Sequence, residues 1–519
     1  MPLETEITFW SLLAACVTGL LVARIRLGTV PRGWAAVWLA ILAVAVAGRL
    51  AGSARTVYAA ALAWLVFVAV PTILVKLGGR LLMQRRYAAA RRAFRLVALL
   101  HPADGFREVP AAVTALELAH AGDMAGAAAA FEGLQHAESG LASTAVCMLY
   151  GLQQRWDELL AWAAAHPAAA ARDPDVLVFV LRALGETGDV AGLIDRYERE
   201  RRRIDLLGPS VVRDTCRLVL FAFGGRPDVV DRVLSSGFAS APADLHRFWQ
   251  ATVRWAAGDV EAARGAFAEL LPVVDPASAV AIRRRLSLIE PAPAPLDERR
   301  RGFLDAEAVR CEQESRFTGA VSLFSKQAGA CRALIAINVA MFGIQVLSGS
   351  IADGARIHDW GALCSECVGR GEWWRLASST FLHWNTAHLV MNLLALGIFG
   401  PAAEAGLGTA RFLAVYAVAG IGSMATLAAA VWLRGEPCVC VGASGAVMGV
   451  IGATAAMMLR GWVRERAAAA WSRGLSMVGF VIWQAAVDSV VPQFSFTGHL
   501  AGAVIGFLAA LTLGDRLRR

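Results

Sequence analysis

The chain has 519 residues, of which 18% are charged and 57% hydrophobic, with a formal net charge of +8 and a mean hydropathy of +0.52. Soluble globular proteins are about a quarter charged and about half apolar, so this balance excludes a wholly soluble enzyme, a disordered regulator and a collagen-like or coiled-coil fibre. The positive charge is almost entirely arginine, with Lys76 and Lys326 the only lysines; basic loops beside membrane spans give such a sum, and no nucleic-acid partner is expected from it.

A membrane span needs about 20 mostly apolar residues, because a rise of about 1.5 Å per residue must cross about 30 Å of hydrocarbon. Three such segments open the chain, near 7–25, 34–52 and 57–76. The first has no basic stretch before it and no small-residue cleavage site after it, so it reads as a retained span and not a signal peptide. Residues 79–330 are charged and amphipathic. Apolar segments return near 333–349, 376–399, 410–433, 443–459, 471–490 and 498–514. The expected protein is all-α and polytopic. Three N-terminal spans (1–78) precede a soluble α-solenoid (79–289), a Pro-rich and charged linker with an amphipathic helix (290–332), and a six-span bundle (333–519).

Orientation follows the placement of basic residues. Met1 to Thr8 carries Glu4 and Glu6 and no basic residue, whereas Lys76, Arg80, Arg85, Arg86, Arg91, Arg92 and Arg95 follow the third span. Arg460, Arg464 and Arg466 mark one later turn, and Arg516, Arg518 and Arg519 mark the tail. Only the loop with Arg49 and Arg55 runs against the pattern. The reading is a multi-pass protein of a bacterial plasma (inner) membrane, N-terminus outside and middle region cytoplasmic.

The middle region repeats itself. Gly122-Asp123-Met124, Gly188-Asp189-Val190 and Gly258-Asp259-Val260 are each followed by a small or aliphatic residue (Ala127, Leu193, Ala263) and an aromatic one (Phe131, Tyr197, Phe267). Weaker copies centre on Gln154-Arg155-Trp156 and Gly225-Arg226-Pro227. A period near 34 residues resembles degenerate tetratricopeptide repeats, which implies a helical solenoid that holds a protein partner; an irregular Ala-rich helical domain is the alternative. His101, His120, His136, His166 and His246 have no ligand spacing and read as surface or packing residues. Glu290 to Pro295 alternates proline, which makes an extended spacer, and 302–331 reads as an amphipathic helix leading to the membrane.

Polar residues inside membrane spans are costly and point to function. His388 and Asn392 share one helix face at a spacing of four. Gly442-Ala-Ser444-Gly445 and Gly498-His499 open two later spans, and the run Gly445 and Gly449 faces the run Gly498, Gly502 and Gly506. Small residues at a spacing of four let helices approach closely. Such packing brings Ser444 Oγ within reach of the His499 ring, the natural base for a serine nucleophile. The Ser444 N–H, the His388 ring and the Asn392 amide are candidate oxyanion donors. Asp488 could approach the ring, but a cap or water contact is the simpler reading, so a Ser-His dyad is expected and not a triad.

These residues resemble the rhomboid family of intramembrane serine proteases over about 333–519. The likeness rests on Glu372-Trp-Trp-Arg375, His383-x4-His388-x3-Asn392, Glu404 followed by a glycine, Gly-Ala-Ser444-Gly and Gly-His499-x-x-Gly502, in family order. It implies Ser444 as nucleophile, His499 as general base, and His388 and Asn392 as oxyanion donors. Arg375 and His383 then hold the outer loop, and Gly442, Gly445 and Gly502 belong to the structural motif. It also implies cleavage of membrane-protein substrates in or beside a transmembrane segment, within the lipid bilayer, with no metal and no cofactor. Met448 stands where members often carry an aromatic that stacks on the catalytic histidine. The rival is a catalytically inactive rhomboid-like adaptor that binds membrane clients.

Four of the nine cysteines, Cys364, Cys367, Cys438 and Cys440, fall in loops expected to face outward. Disulfides are expected there, tying the first core loop to the loop before Ser444, although four cysteines allow three connectivities. Zinc held by Cys-x2-Cys with Cys-x-Cys is the less favoured alternative, and free thiols are another.

Overall fold

The computed structural model describes residues 3–27, 31–135, 141–207, 210–287, 296–318, 323–350, 354–435, 439–490 and 495–514. His136, Cys438, the alternating prolines and the three tail arginines lie outside them. The chain divides into two compact units. The first is Ser11–Cys311; the second is Glu312–Arg519 together with Pro2–Trp10.

Among the described residues, seven helices are long and apolar enough to cross a membrane, namely Arg32–Leu50, Ala54–Met83, Lys326–Leu347, His388–Leu407, Thr409–Arg434, Ser444–Glu465 and Phe496–Leu513. Seven of the nine expected segments meet that measure. The remaining two segments form helices, Leu3–Leu27 and Ala468–Val490, that are not among the seven. In the second of these, Arg473, Gln484 and Asp488 lower the apolar average.

In the first unit, the Gly-Asp pairs set the turns. Gly122, Gly188 and Gly258 take left-handed backbone angles (φ +96°, +85° and +90°), which end one helix without a Cβ clash. Asp123, Asp189 and Asp259 then accept the N–H of Gly126 (2.8 Å), Gly192 (2.8 Å) and Ala262 (3.4 Å) and so cap the next helix. Gln154 and Gly225 turn the two weaker copies, also at positive φ. The resulting hairpins pair Val109–Ala121 with Met124–Leu134, Leu141–Leu152 with Trp156–Ala165, Pro174–Glu186 with Val190–Leu206, Val211–Phe223 with Pro227–Gly237, and Ala243–Ala256 with Val260–Leu270. Phe131, Tyr197 and Phe267, which hold equivalent places after the Gly-Asp turn, are fully buried.

His101 is more than a packing residue. Pro71 has no N–H to give to the Phe67 carbonyl one turn earlier, and the helix locally widens over Leu65–Ala69. His101 Nε2 lies 2.7 Å from that carbonyl oxygen, and its Nδ1 lies 3.1 Å from Asp104 Oδ2. Asp104 in turn accepts the Gly33 N–H at 2.8 Å, and Trp34 stacks on the imidazole with ring centres 4.0 Å apart.

A buried ion pair joins the helices Pro174–Glu186 and Pro276–Ser287. Arg285 donates to Glu186 at 2.7 Å, with both side chains nearly inaccessible. The guanidinium also lies over the rings of Phe223 and Trp255, at 4.9 and 5.1 Å. Removing one partner strands a buried charge. Glu186→Ala is therefore expected to destabilise this unit by about 3–5 kcal/mol, read as a lower midpoint in thermal unfolding of the whole chain followed by circular dichroism.

In the second unit, the connector helix spans Glu298–Thr318 across the boundary, earlier than the expected 302–331, and the first bundle helix starts at Gly329. Its opening N–H groups are satisfied from a distance: Glu404 accepts from Ala330 (3.0 Å) and Cys331 (2.8 Å), a favourable place for a carboxylate. The second bundle helix, Thr386–Leu407, starts later than the expected 376–399. Short turns occupy Arg375–Ser378 and Ser379–Phe381, and Asn385 caps the long helix by accepting the His388 N–H at 2.8 Å. Two short strands, β1 (Leu363–Cys364) and β2 (Val439–Cys440), pair antiparallel with Leu363 opposite Cys440. They are a small exception to an otherwise all-α chain.

The Ser444 and His499 helices nest on glycine. A Cβ at Gly502 would land on the Gly445 carbonyl, one at Gly506 on the Gly449 carbonyl, and one at Gly452 on the Ala503 carbonyl. From the Thr409–Arg434 helix, Ser423 and Ala419 fill the space beside Gly445 and Gly449.

Candidate active site

Ser444 is the first residue of its helix, where backbone N–H groups have no intrahelical acceptor. The nested glycines bring its Oγ to 2.8 Å from His499 Nε2. The other ring nitrogen, Nδ1, lies 2.8 Å from Asp488 Oδ2. The Asp488 side chain is fully buried. Gln484, one turn earlier on the same helix, donates to Asp488 Oδ1 at 2.8 Å and lies 3.5 Å from His499 Nδ1. The expected Ser444–His499 pair thus has a carboxylate, Asp488, on the far side of the ring. The Ala468–Val490 and Phe496–Leu513 helices pack against each other, which makes a carboxylate 11 residues away in the chain a direct partner of the ring. Gln484 was missed by sequence reasoning. The available signal was two polar residues four apart in an apolar helix, which share one face.

Gly442 holds the other wall. It has φ +139°, a conformation reserved for glycine, and its N–H donates to the Ser379 carbonyl at 2.9 Å. A Cβ here would sit 2.7 Å from His388 Cε1, 2.9 Å from His388 Nε2 and 3.6 Å from Ser444 Oγ. The His388 ring and the serine hydroxyl therefore border one small space. Asn392 is buried and donates one amide N–H to the His388 carbonyl at 3.1 Å, which leaves its second N–H for another acceptor. Gly442→Ala is expected to combine backbone strain with a collision against His388. Its Ser444 should react with a fluorophosphonate about tenfold more slowly, measured as the rate of gel-resolved labelling.

The remaining predicted residues surround this centre. His383 is fully buried, edge-on to His388 with ring centres 5.2 Å apart. Its peptide group is clamped by Gln345, which accepts its N–H at 3.0 Å and donates to its carbonyl at 3.2 Å. Arg375 donates to Glu372 (2.6 Å) and to the carbonyls of His358 (2.6 Å) and Ala362 (3.1 Å). That hydrogen bond holds the Glu372 carboxyl below its ordinary range. Met448 is buried one turn along from Ser444.

The structure selects one of the open cysteine pairings. Cys364 and Cys367 form a disulfide within the first loop; the two loops are joined instead by the β1–β2 ladder, in which Cys440 stands opposite Leu363. Neighbours three apart can close a bridge without any long-range constraint. His358 with Cys364 and Cys367 also places three ligand atoms within 4.8 Å of one another, but the disulfide ties up both thiols.

The family model of the rhomboid domain matches residues 370–516. The chain is 33% identical over 181 residues to the rhomboid protease GluP of Bacillus subtilis (strain 168), covering 35% of this chain and 34% of that relative. It is 36% identical over 156 residues to YdcA of the same bacterium, covering 29% of this chain and 73% of the relative. To the rhomboid protease AarA of Providencia stuartii it is 27% identical over 202 residues, covering 34% of this chain and 70% of the relative. The chain thus spans about a third of GluP and more than two thirds of the other two. No solved structure matches the chain significantly. The seven apolar helices make it a multi-pass membrane protein, and the matched domain together with the YdcA relationship shows that the chain belongs to the rhomboid family.

Proposed function

We propose that this chain is an intramembrane serine protease that hydrolyses peptide bonds in or beside transmembrane segments of membrane-protein substrates. The observation that carries the reading is the 2.8 Å approach of Ser444 Oγ to His499 Nε2 at the adjoining ends of two nested helices. His499 takes the hydroxyl proton as Oγ attacks the scissile carbonyl. Asp488 accepts a hydrogen bond from Nδ1–H, orients the ring and stabilises the imidazolium that forms. The Ser444 N–H, the His388 ring and the free Asn392 N–H stabilise the oxyanion. His499 then returns the proton to the leaving amine, and water bound by the same base hydrolyses the acyl-enzyme. This chemistry calls on side chains and backbone alone, with no metal or cofactor.

The division into 1–78, 79–289, 290–332 and 333–519 is part of the same proposal, as is placement in a bacterial plasma membrane with the active site opening to the outer face and the helical hairpins in the cytoplasm. The hairpin region is assigned a protein partner; its stacked helix pairs are the kind of surface that solenoids use for binding. The test is reconstitution of the full chain in lipid vesicles with a single-span reporter protein. Cleavage that is lost in Ser444→Ala supports the protease. A folded protein that binds the reporter without cutting it supports the adaptor.

A further inference from the structure

We propose that Cys364–Cys367 is a thiol–disulfide exchange site that reacts with external thiols, attacked at Cys364 and releasing Cys367. The inference does not rest on the protease reading. The two sulfurs of the bond are not equivalent. Cys364 is half-exposed, whereas Cys367 is buried. Two side-chain nitrogens converge on the buried sulfur, with His358 Nε2 3.3 Å and an Arg370 guanidinium nitrogen 3.4 Å from Cys367 Sγ, whereas Cys364 Sγ accepts one backbone N–H, that of Cys367 at 3.2 Å. Cys364 is the more accessible residue of the two, and the Cys367 sulfur faces the side-chain donors that would stabilise negative charge on it. A disulfide breaks faster when its leaving thiolate is stabilised, and attack goes to the accessible sulfur.

An external thiolate forms a bond to Cys364 Sγ as the Cys364–Cys367 bond breaks, and the electron pair stays on Cys367 Sγ, facing His358 and Arg370. A second external thiol then displaces Cys364. Two external thiols are oxidised to their disulfide, and the protein disulfide is reduced by two electrons. Reversal is favoured by the scaffold, because Cys364 stays held opposite Val439 in the β1–β2 ladder whatever the state of its sulfur. That ladder ends two residues before Gly442, so the reactive pair is tied by backbone to the loop that carries Ser444.

The experiment uses the full chain in detergent, with excess glutathione as the thiol. The reaction is stopped with acid, free thiols are capped with N-ethylmaleimide, and the peptide containing both cysteines is sequenced by mass spectrometry. The expected trapped species carries glutathione on Cys364 and maleimide on Cys367. Arg370→Gln and His358→Gln, with unfolding midpoints like the parent's, should each slow loss of the disulfide about threefold or more. Glutathione on Cys367, a disulfide that does not react, or unchanged rates in both variants would each overturn the proposal.

Discussion

Asp488→Asn is expected to slow cleavage of a transmembrane reporter by about 10³–10⁴-fold while leaving the protein folded. As a carboxylate 2.8 Å from His499 Nδ1, Asp488 can only accept, which keeps the proton on Nδ1 and leaves Nε2 free to take the Ser444 proton. An asparagine amide in the same place can donate to Nδ1 instead, which moves the ring proton to Nε2 and blocks the base. The surroundings strengthen this choice. Gln484 already donates to the other Asp488 oxygen at 2.8 Å, and the carboxylate is shut off from compensating water. The measurement is the initial rate of reporter cleavage at matched protein concentration, with thermal unfolding as the control for folding. A rate within about threefold of the parent would reduce Asp488 to a structural residue and restore the dyad.

The second large effect is expected from a position that touches no reacting atom. A side chain at Gly506 must overlap the Gly449 carbonyl, and backbone cannot yield as a flexible side chain can. Gly506→Val should therefore pry the Ser444 and His499 helices apart. A displacement of about 1 Å at the reacting groups is enough to cost about 10²-fold in rate. Gly479→Val is the matched control, because a Cβ at Gly479 meets nothing within 4 Å. The account expects a loss of cleavage for the first and parent-like cleavage for the second, with both proteins still helical by circular dichroism. Equal activity of the two would show that close nesting of these helices does not position the nucleophile.

What could be read from the residues follows the range of the interactions involved. The Gly-Asp turns were legible because a left-handed glycine and an aspartate cap act within a few residues of each other. Ser444 and His499 were legible because the glycine repeats beside them announce helices that touch. Asp488 was visible as a polar residue that could approach the ring, but its contact with Nδ1 depends on how the Ala468–Val490 and Phe496–Leu513 helices pack together, which no local pattern reports. The cysteine pairing was obscure for a related reason: four thiols in two neighbouring loops allow several bridges, and only the placement of β1 against β2 removes the need for one between the loops. The late start of the second bundle helix was hidden because Leu376, Ala377, Phe381 and Leu382 let the hydropathy average merge 376–382 with the span, while the local turns and the Asn385 cap divide it. The network around His101 depends on a missing Pro71 N–H and a histidine far along the chain, a combination that no periodicity reports.

The most direct test is to treat the purified full chain with a fluorophosphonate and locate the adduct by mass spectrometry. The account predicts phosphonylation of Ser444, lost when His499 is replaced by alanine in a protein of unchanged thermal stability. An adduct on a different serine, or undiminished labelling of Ser444 without the imidazole, would contradict it.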